Sequence, residues 1–280
     1  MAPETLKGFL RFEIMQDHEL DNLSKFYEKN GYVSPVKLLS EAEAAKHRNR
    51  LEEAEKKLGS LHYRSKVHTI LTSPFELATS SKVLDLIEKL IGPNILLYNV
   101  TYIIKEPNSL NHVSWHQDLT YWGLSHDDQV SMWLALSPAT KESGCMRMIP
   151  ESHKNGQLNH ETTNDESNVL YQGQTVRDIN ENESCLCPLC PGEATFHHGW
   201  TLHASTPNHS NDRRIGLNVQ YLATHVSQKK HDNDSVILVR GEDTYQNFNL
   251  DVPAKVDLDA DALNRQLELE KLYIETAGRK

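Results

Sequence analysis

The hydrophobic pattern of this chain changes its period near residue 92, and that change limits the folds open to it. Before that point, apolar residues recur at helical spacing. The stretch "DHELDNLSKFYEKNGYV" ends in the stop Asn30-Gly31, "SEAEAAKHRNRLEEAEKKLG" opens on Ser40 with Glu43 three residues on, and "SSKVLDLIEKLIG" closes on glycine. Ser40 and Glu43 have the spacing of a capping box, and glycine ends a helix because it tolerates the left-handed conformation there. From Asn94 onward the apolar runs shorten and are broken by turn residues: "ILLYNVTYIIK", "QVSMWLALSPA", "CMRMIP", "EATFHHGW" and "RIGLNVQYLAT". Many short strands in succession predict a sandwich or barrel. A last stretch, "DLDADALNRQLELEKLYIETA", reads as a helix again. With no internal repeat and no clear linker, the chain is expected to form one domain over 1–280. Its parts are a helical segment over about 1–92, a strand-rich core over about 93–225, and an extension with a helix over about 226–280. The fold class expected is mainly β with flanking helices.

Two polar stretches interrupt the core. His153 to Ser184 is far longer than the roughly 12–15 residues usual for a structureless loop, so it is either a lid or a surface excursion. His225 to Ser235 reads as a plain loop.

Composition narrows the partners. The net charge of −10 disfavours nucleic acid and anionic membrane, while leaving room for a local basic pocket. No apolar run is long enough to span a bilayer, and the start "MAPETLKGFLRFE" lacks the apolar core of a signal peptide. Four cysteines in 280 residues do not make a disulfide scaffold, so a reducing cytoplasm is expected. Cys185, Cys187 and Cys190 lack the paired spacing of a zinc site and read as free thiols.

The chemistry starts at "SWHQDLTYW". In an extended strand His116 and Asp118 would face the same way, which lets one imidazole nitrogen and one carboxylate oxygen share a metal ion. The pair alone is a weak signal and needs a third ligand. The segment "PGEATFHHGWTLHASTPNHSNDRRIGL" supplies His197, His198, His203 and His209. Two histidines and one carboxylate on one face of an octahedron favour Fe(II) used for oxygen chemistry. Of the four, His203 is followed by Ser205 and, eleven residues on (214 − 203 = 11), by Arg214. A guanidinium with a hydroxyl beside it can hold a carboxylate through charge-assisted bonds, as an organic acid serving an iron site requires. His197 and His198 then read as residues packed behind the ligands, and Arg213 as a surface residue. Arg147 and Arg240 read as partners in surface salt bridges.

At this point the sequence resembles a known family. "WHQDL" at 115–119, "ESGCMRMIPESHKNG" at 142–156 and "LHAS" through "RRIGLNVQYL" at 202–222 match the phytanoyl-CoA dioxygenase (PhyH) family of Fe(II)/2-oxoglutarate-dependent oxygenases, and "FYEKNGYV" fits as well. The resemblance implies a double-stranded β-helix, a cupin-like jelly roll, with N-terminal helices packed outside. It implies His116, Asp118 and His203 as iron ligands and catalytic centre. It implies Arg214 with Ser205 as holders of the distal carboxylate of 2-oxoglutarate, and Trp133, Lys66 and Tyr102 on the co-substrate side. The family's Pro-Gly-Ser-His appears here as Pro150-Glu151-Ser152-His153.

The expected cofactors are Fe(II), 2-oxoglutarate as co-substrate, and O2. Halogenating relatives lack the carboxylate that Asp118 supplies, so the resemblance implies a hydroxylase rather than a halogenase, with release of succinate and CO2. His112, Tyr121, Trp122 and His68 are candidate substrate contacts. The polar candidates around the site favour a small polar metabolite, with an aminophosphonate such as 2-aminoethylphosphonate as one candidate. An acyl-CoA fits an acidic chain less well. Alternatives are a natural-product scaffold as substrate, or a non-catalytic metal-binding jelly roll.

Overall fold

A computed structural model of the chain describes residues 12–13 and 17–277. Residues 1–11, which make up most of the stretch read for a leader, lie outside it. Four helices precede the strand-rich part: α1 (Asp17–Asn30), α2 (Glu41–Leu58), α3 (Thr72–Ala78) and α4 (Ser81–Ile91). The capping box at α2 is formed on both sides: Glu43 N–H donates to Ser40 Oγ at 3.2 Å, and Ser40 N–H donates to Glu43 Oε2 at 2.8 Å. Two strands lie among these helices, β1 (Phe12–Glu13) and β2 (Tyr32–Lys37). The helical texture of this region conceals β2, because its partner is distant in sequence.

The remaining strands are β3 (Ile95–Lys105), β4 (Val113–His116), β5 (Gln129–Ala135), β6 (Met146–Met148), β7 (Cys185–Cys187), β8 (Glu193–His198), β9 (His203–Ser205), β10 (Arg214–Ala223), β11 (Ser235–Arg240) and β12 (Asn249–Leu250). A short helix α5 (Leu119–Trp122) follows β4, and α6 (Ala260–Ala277) ends the described chain. The strands form an eight-stranded sheet in the order β1-β2-β8-β5-β10-β3-β11-β12 and a four-stranded sheet in the order β4-β9-β6-β7. This helix-flanked two-sheet arrangement is the expected cupin-like fold.

The central strands of the large sheet sort their side chains by face. Val100, Met132, Phe196 and Leu217 point outward and are fully buried against α1–α4, with Leu23, Leu51 and Ile87 among their helical neighbours. Burying a side chain of this size stabilises by roughly 1.5–3 kcal/mol. Asn99, Thr101, His197, Asn218 and Gln220 instead line a cavity on the opposite side of the same strands. The large sheet is therefore apolar where it meets the helices and polar where it faces the cavity.

A bulge sets this division on β3. Gln220 pairs with Asn99 and Tyr221 with Leu97, so Tyr98 is the extra residue. After it, Val100, Tyr102 and Ile104 join the outer core, while Asn99, Thr101 and Ile103 line the cavity.

The polar stretch 153–184 joins the rest of the chain at the His112–Asn168 bridge and pairs with itself at Glu161–Thr175, and it places Val169 and Leu170 in the cavity wall.

Candidate metal and co-substrate site

His116 and His203 meet because β4 and β9 are antiparallel neighbours, with the two histidines in direct register. Asp118 joins them by a different route from strand alternation. The chain leaves β4 after His116, and Asp118 sits in helical conformation (φ −58°, ψ −45°) at the start of α5. One donor atom from each of the three residues lies within 4.8 Å of the others, and among the described residues this is the cluster with metal-binding geometry. Asp118 Oδ1 is 3.4 Å from His116 Nε2 and 3.7 Å from His203 Nε2.

The ring orientations fit a metal. His116 Nδ1 lies 2.9 Å from the Ser114 carbonyl oxygen and 3.1 Å from that of His203, and His203 Nδ1 lies 2.9 Å from the Thr201 carbonyl. A carbonyl only accepts, so the proton on each ring is at Nδ1 and the Nε2 lone pair faces the cluster. The carboxylate is held too. Ser131 Oγ donates to Asp118 Oδ2 at 2.9 Å, Gln129 Nε2 donates to Ser131 Oγ at 2.9 Å, and His197 Nε2 lies 3.3 Å from the same Oδ2.

Protonation states agree with this role. Burial alone would raise the Asp118 carboxyl, but contacts with His116 and His197 and the nearby His203 hold it well below the usual carboxylate range. Burial, with His116 beside it, pushes His203 well below its ordinary value. An ionised carboxylate and neutral imidazoles are the forms that bind a divalent cation.

Arg214 opens β10 and is 1% exposed. Its Nη1 donates to the Gly144 carbonyl, its Nε has no partner, and its guanidinium stands 5.1 Å from the Trp133 ring. Among the described residues no carboxylate pairs with it. Burial pulls its pKa down to about 10. Across the strand pair, Lys105 is in register with Arg214, and its Nζ donates to Ser205 Oγ at 2.8 Å. Burial, with the Arg214 charge nearby, pulls Lys105 down to about 6. A buried guanidinium without an acidic partner, with a buried amine beside it that can take up a proton, forms a receptor for an anion.

The cavity, about 910 Å³ counted out to its open mouth, contains the three clustered donors together with Arg214, Ser205, Trp133, Tyr121 and Trp122. Other residues singled out from the sequence stand outside its lining. Lys66 is buried and donates from Nζ to the carbonyls of Tyr98 (2.5 Å) and Ser235 (2.6 Å). Tyr102 is turned toward the helices by the β3 alternation. His68 is buried beside Lys66, and His112 sits 3.7 Å from Asp165. Arg213 pairs with Glu55 and Glu106, Arg147 with Glu181, and Arg240 with Asp85 and Glu88. The four cysteines are free thiols.

Sequence reasoning missed the polar residues Asn99, Thr101, Asn218, Gln220 and Tyr273 in the cavity wall. The one available signal was the amides interrupting the apolar runs "ILLYNVTYIIK" and "RIGLNVQYLAT".

Fold and site together define a jelly-roll protein with a two-histidine, one-carboxylate centre of the non-haem iron type. The phytanoyl-CoA dioxygenase (PhyH) family model matches residues 27–216, and the chain belongs to that family. The cofactors that go with this family and donor set are Fe(II), 2-oxoglutarate and O2.

Among curated relatives, a probable alpha-ketoglutarate-dependent hypophosphite dioxygenase from Stutzerimonas stutzeri is 32% identical over 149 residues, covering 52% of each chain. The human peroxisomal phytanoyl-CoA dioxygenase is 25% identical over 224 residues, covering 70% of this chain and 66% of that protein. The chain thus spans from about half to two thirds of the length of these relatives. Among solved structures, the non-haem monooxygenase ThoJ aligns with a TM-score of 0.79 at 27% identity, over 90% of this chain and 99% of its own. CytC3 with Fe(II) and alpha-ketoglutarate shares the fold at a TM-score of 0.64 and 20% identity, over 85% of this chain and 93% of its own. No helix of the described chain is long and apolar enough to cross a membrane.

Proposed function

We propose that this chain is an Fe(II)- and 2-oxoglutarate-dependent dioxygenase that hydroxylates a small polar metabolite and releases succinate and CO2. The observation that carries the reading is the placement of Arg214. A guanidinium buried without an acidic partner lines the same cavity as a clustered His-Asp-His donor set. Leaving such a charge unpaired is costly, and a dicarboxylate that reaches from the metal to Arg214 removes the cost.

In this reading His116, Asp118 and His203 hold the iron. Arg214 and the Ser205 hydroxyl hold the far carboxylate of the co-substrate, and Trp133 packs against the guanidinium. When bound, iron and co-substrate supply the oxidising power that divides O2 between succinate and the product. The protein supplies position, a dry wall around the reacting atoms, and a carboxylate held by Ser131 and His197. Asp118 occupies the position that halogenating relatives leave open, which supports hydroxylation over chlorination.

The test is an anaerobic visible difference spectrum of metal-free protein, first with Fe(II) and then with 2-oxoglutarate. A weak charge-transfer band that requires both additions and is lost in His203→Ala is the expected result. Iron binding without the band would leave a metal-binding jelly roll in place of an oxygenase.

A further inference from the structure

The cavity wall divides by charge. Its charged and imidazole side chains are Asp118, His116, His197, His203 and Arg214, all engaged with the metal centre or placed for the co-substrate. Further along the inner face of β10, past Gly216, come Asn218 and then Gln220. Register puts Gln220 beside Ser131, whose hydroxyl donates to Asp118.

Three uncharged donors face this part of the cavity with hydrogen-bonding capacity to spare. The Asn218 side chain has no hydrogen-bond partner within the described chain. Gln220 accepts the Tyr273 hydroxyl on Oε1 at 3.2 Å, which leaves its amino group free. The Tyr121 hydroxyl is buried and unpartnered, on a ring 6.4 Å from that of His116. A buried polar group left without a partner costs roughly 1–3 kcal/mol, so the Tyr121 hydroxyl, with the spare capacity of the two amides in the same cavity, marks a place where a ligand completes the bonding. Tyr273 closes the wall from α6. Asn218, Gln220 and Tyr273 all lie beyond residue 216, where the family match ends.

We infer that the substrate is an uncharged molecule recognised through carboxamide or peptide-like carbonyl groups by Asn218, Gln220 and Tyr121. An anion here would be stripped of water with no cationic side chain free to meet it, since Arg214 is taken by the co-substrate and the charge of the iron would be met by Asp118 and the co-substrate. Neutral carbonyl groups accept from these donors at no such cost. The inference rests on the oxygenase reading, because that reading assigns Arg214 to 2-oxoglutarate.

The experiment uses a matched pair of probes, benzamide and benzoate. They are titrated under nitrogen into the whole chain carrying Fe(II) and 2-oxoglutarate, and the equilibrium Kd is read from quenching of tryptophan fluorescence, since Trp122 and Trp133 line the cavity. Benzamide is expected to bind about tenfold more tightly than benzoate, which corresponds to about 1.4 kcal/mol. Asn218→Leu should weaken benzamide by about the same factor. Asn218→Asp, which keeps the size and adds a negative charge, should weaken it too. The charge-transfer band serves as the check that each variant has an assembled site.

Benzoate, hypophosphite or 2-aminoethylphosphonate binding as tightly as benzamide would overturn the inference. So would no benzamide binding at millimolar concentration, or unchanged affinity in both Asn218 variants. A missing charge-transfer band in the unmodified protein would instead overturn the oxygenase reading, so the two failures are distinguishable.

Discussion

His197 Nε2 lies 3.3 Å from Asp118 Oδ2, the same oxygen to which Ser131 donates, while Oδ1 faces the two clustered histidines. The carboxylate therefore uses one oxygen toward the protein and offers the other to the metal. His197 is 1% exposed, and its Nδ1 has no partner, so its polar contact is spent on Asp118. Groups that orient a metal ligand in this way typically change metal affinity by about 10–100-fold when removed. His197→Leu is expected to weaken Fe(II) binding by roughly that factor with the fold intact. Titration of metal-free protein with Fe(II) checks this, and an unchanged Kd would reduce His197 to a packing residue.

Arg214→Leu should raise the KM for 2-oxoglutarate steeply. Losing one partner of a buried charge pair costs about 2–5 kcal/mol, so a rise of roughly 30-fold or more is expected. Arg214→Lys should recover only part of it, because an ammonium cannot form the two parallel bonds of a guanidinium. Succinate release against 2-oxoglutarate concentration is the measurement. A KM within a factor of about two of the parent would remove Arg214 from the co-substrate site.

Lys105 gives a pH dependence with a definite sign. Without ligand, burial and then Arg214 lower its pKa from 10.5 to about 6, so at pH 8 the amine is neutral. An anion arriving beside it favours the ammonium and raises that pKa, so binding takes up a proton. Affinity for 2-oxoglutarate should therefore be highest near pH 6 and fall as pH rises above it. Calorimetry at pH 8 in buffers of different ionisation enthalpy measures the uptake. Lys105→Met should flatten the profile, and proton uptake persisting in that variant would assign the effect elsewhere.

Gly216 is a packing test of the same corner. A Cβ on Gly216 would fall within the indole ring of Trp133, which stands under Arg214. Gly216→Ala must push the ring aside, and such overpacking costs typically about 1–3 kcal/mol. A lower Tm together with weaker 2-oxoglutarate binding is expected. Loss of stability alone, with co-substrate affinity kept, would mean that Trp133 has no part in seating the guanidinium.

The sequence already held much of the site, for a local reason. His116 and Asp118 are two residues apart, and His203, Ser205 and Arg214 lie within twelve residues of one another, so short motifs suffice to find them. Even so, the cause inferred for the first pair was incomplete, since a turn into α5 rather than strand alternation brings Asp118 to the metal side. Lys66 and Tyr102 were harder to place. β3 is buried along almost its whole length, so its pattern does not locate the bulge at Tyr98 that sends Tyr102 toward the helices.

The hydrophobic period, the helix caps and the ligand motifs were determined by the sequence alone, because each depends on neighbours a few residues apart. What the tertiary structure decided were relations across the chain. β2 became a strand because β8, some 160 residues later, pairs with it. Lys105 met Ser205, His197 met Asp118, and Gln220 met Tyr273 because sheet register and the final helix brought them together. Periodicity records which face a residue prefers, but not which distant residue will share that face.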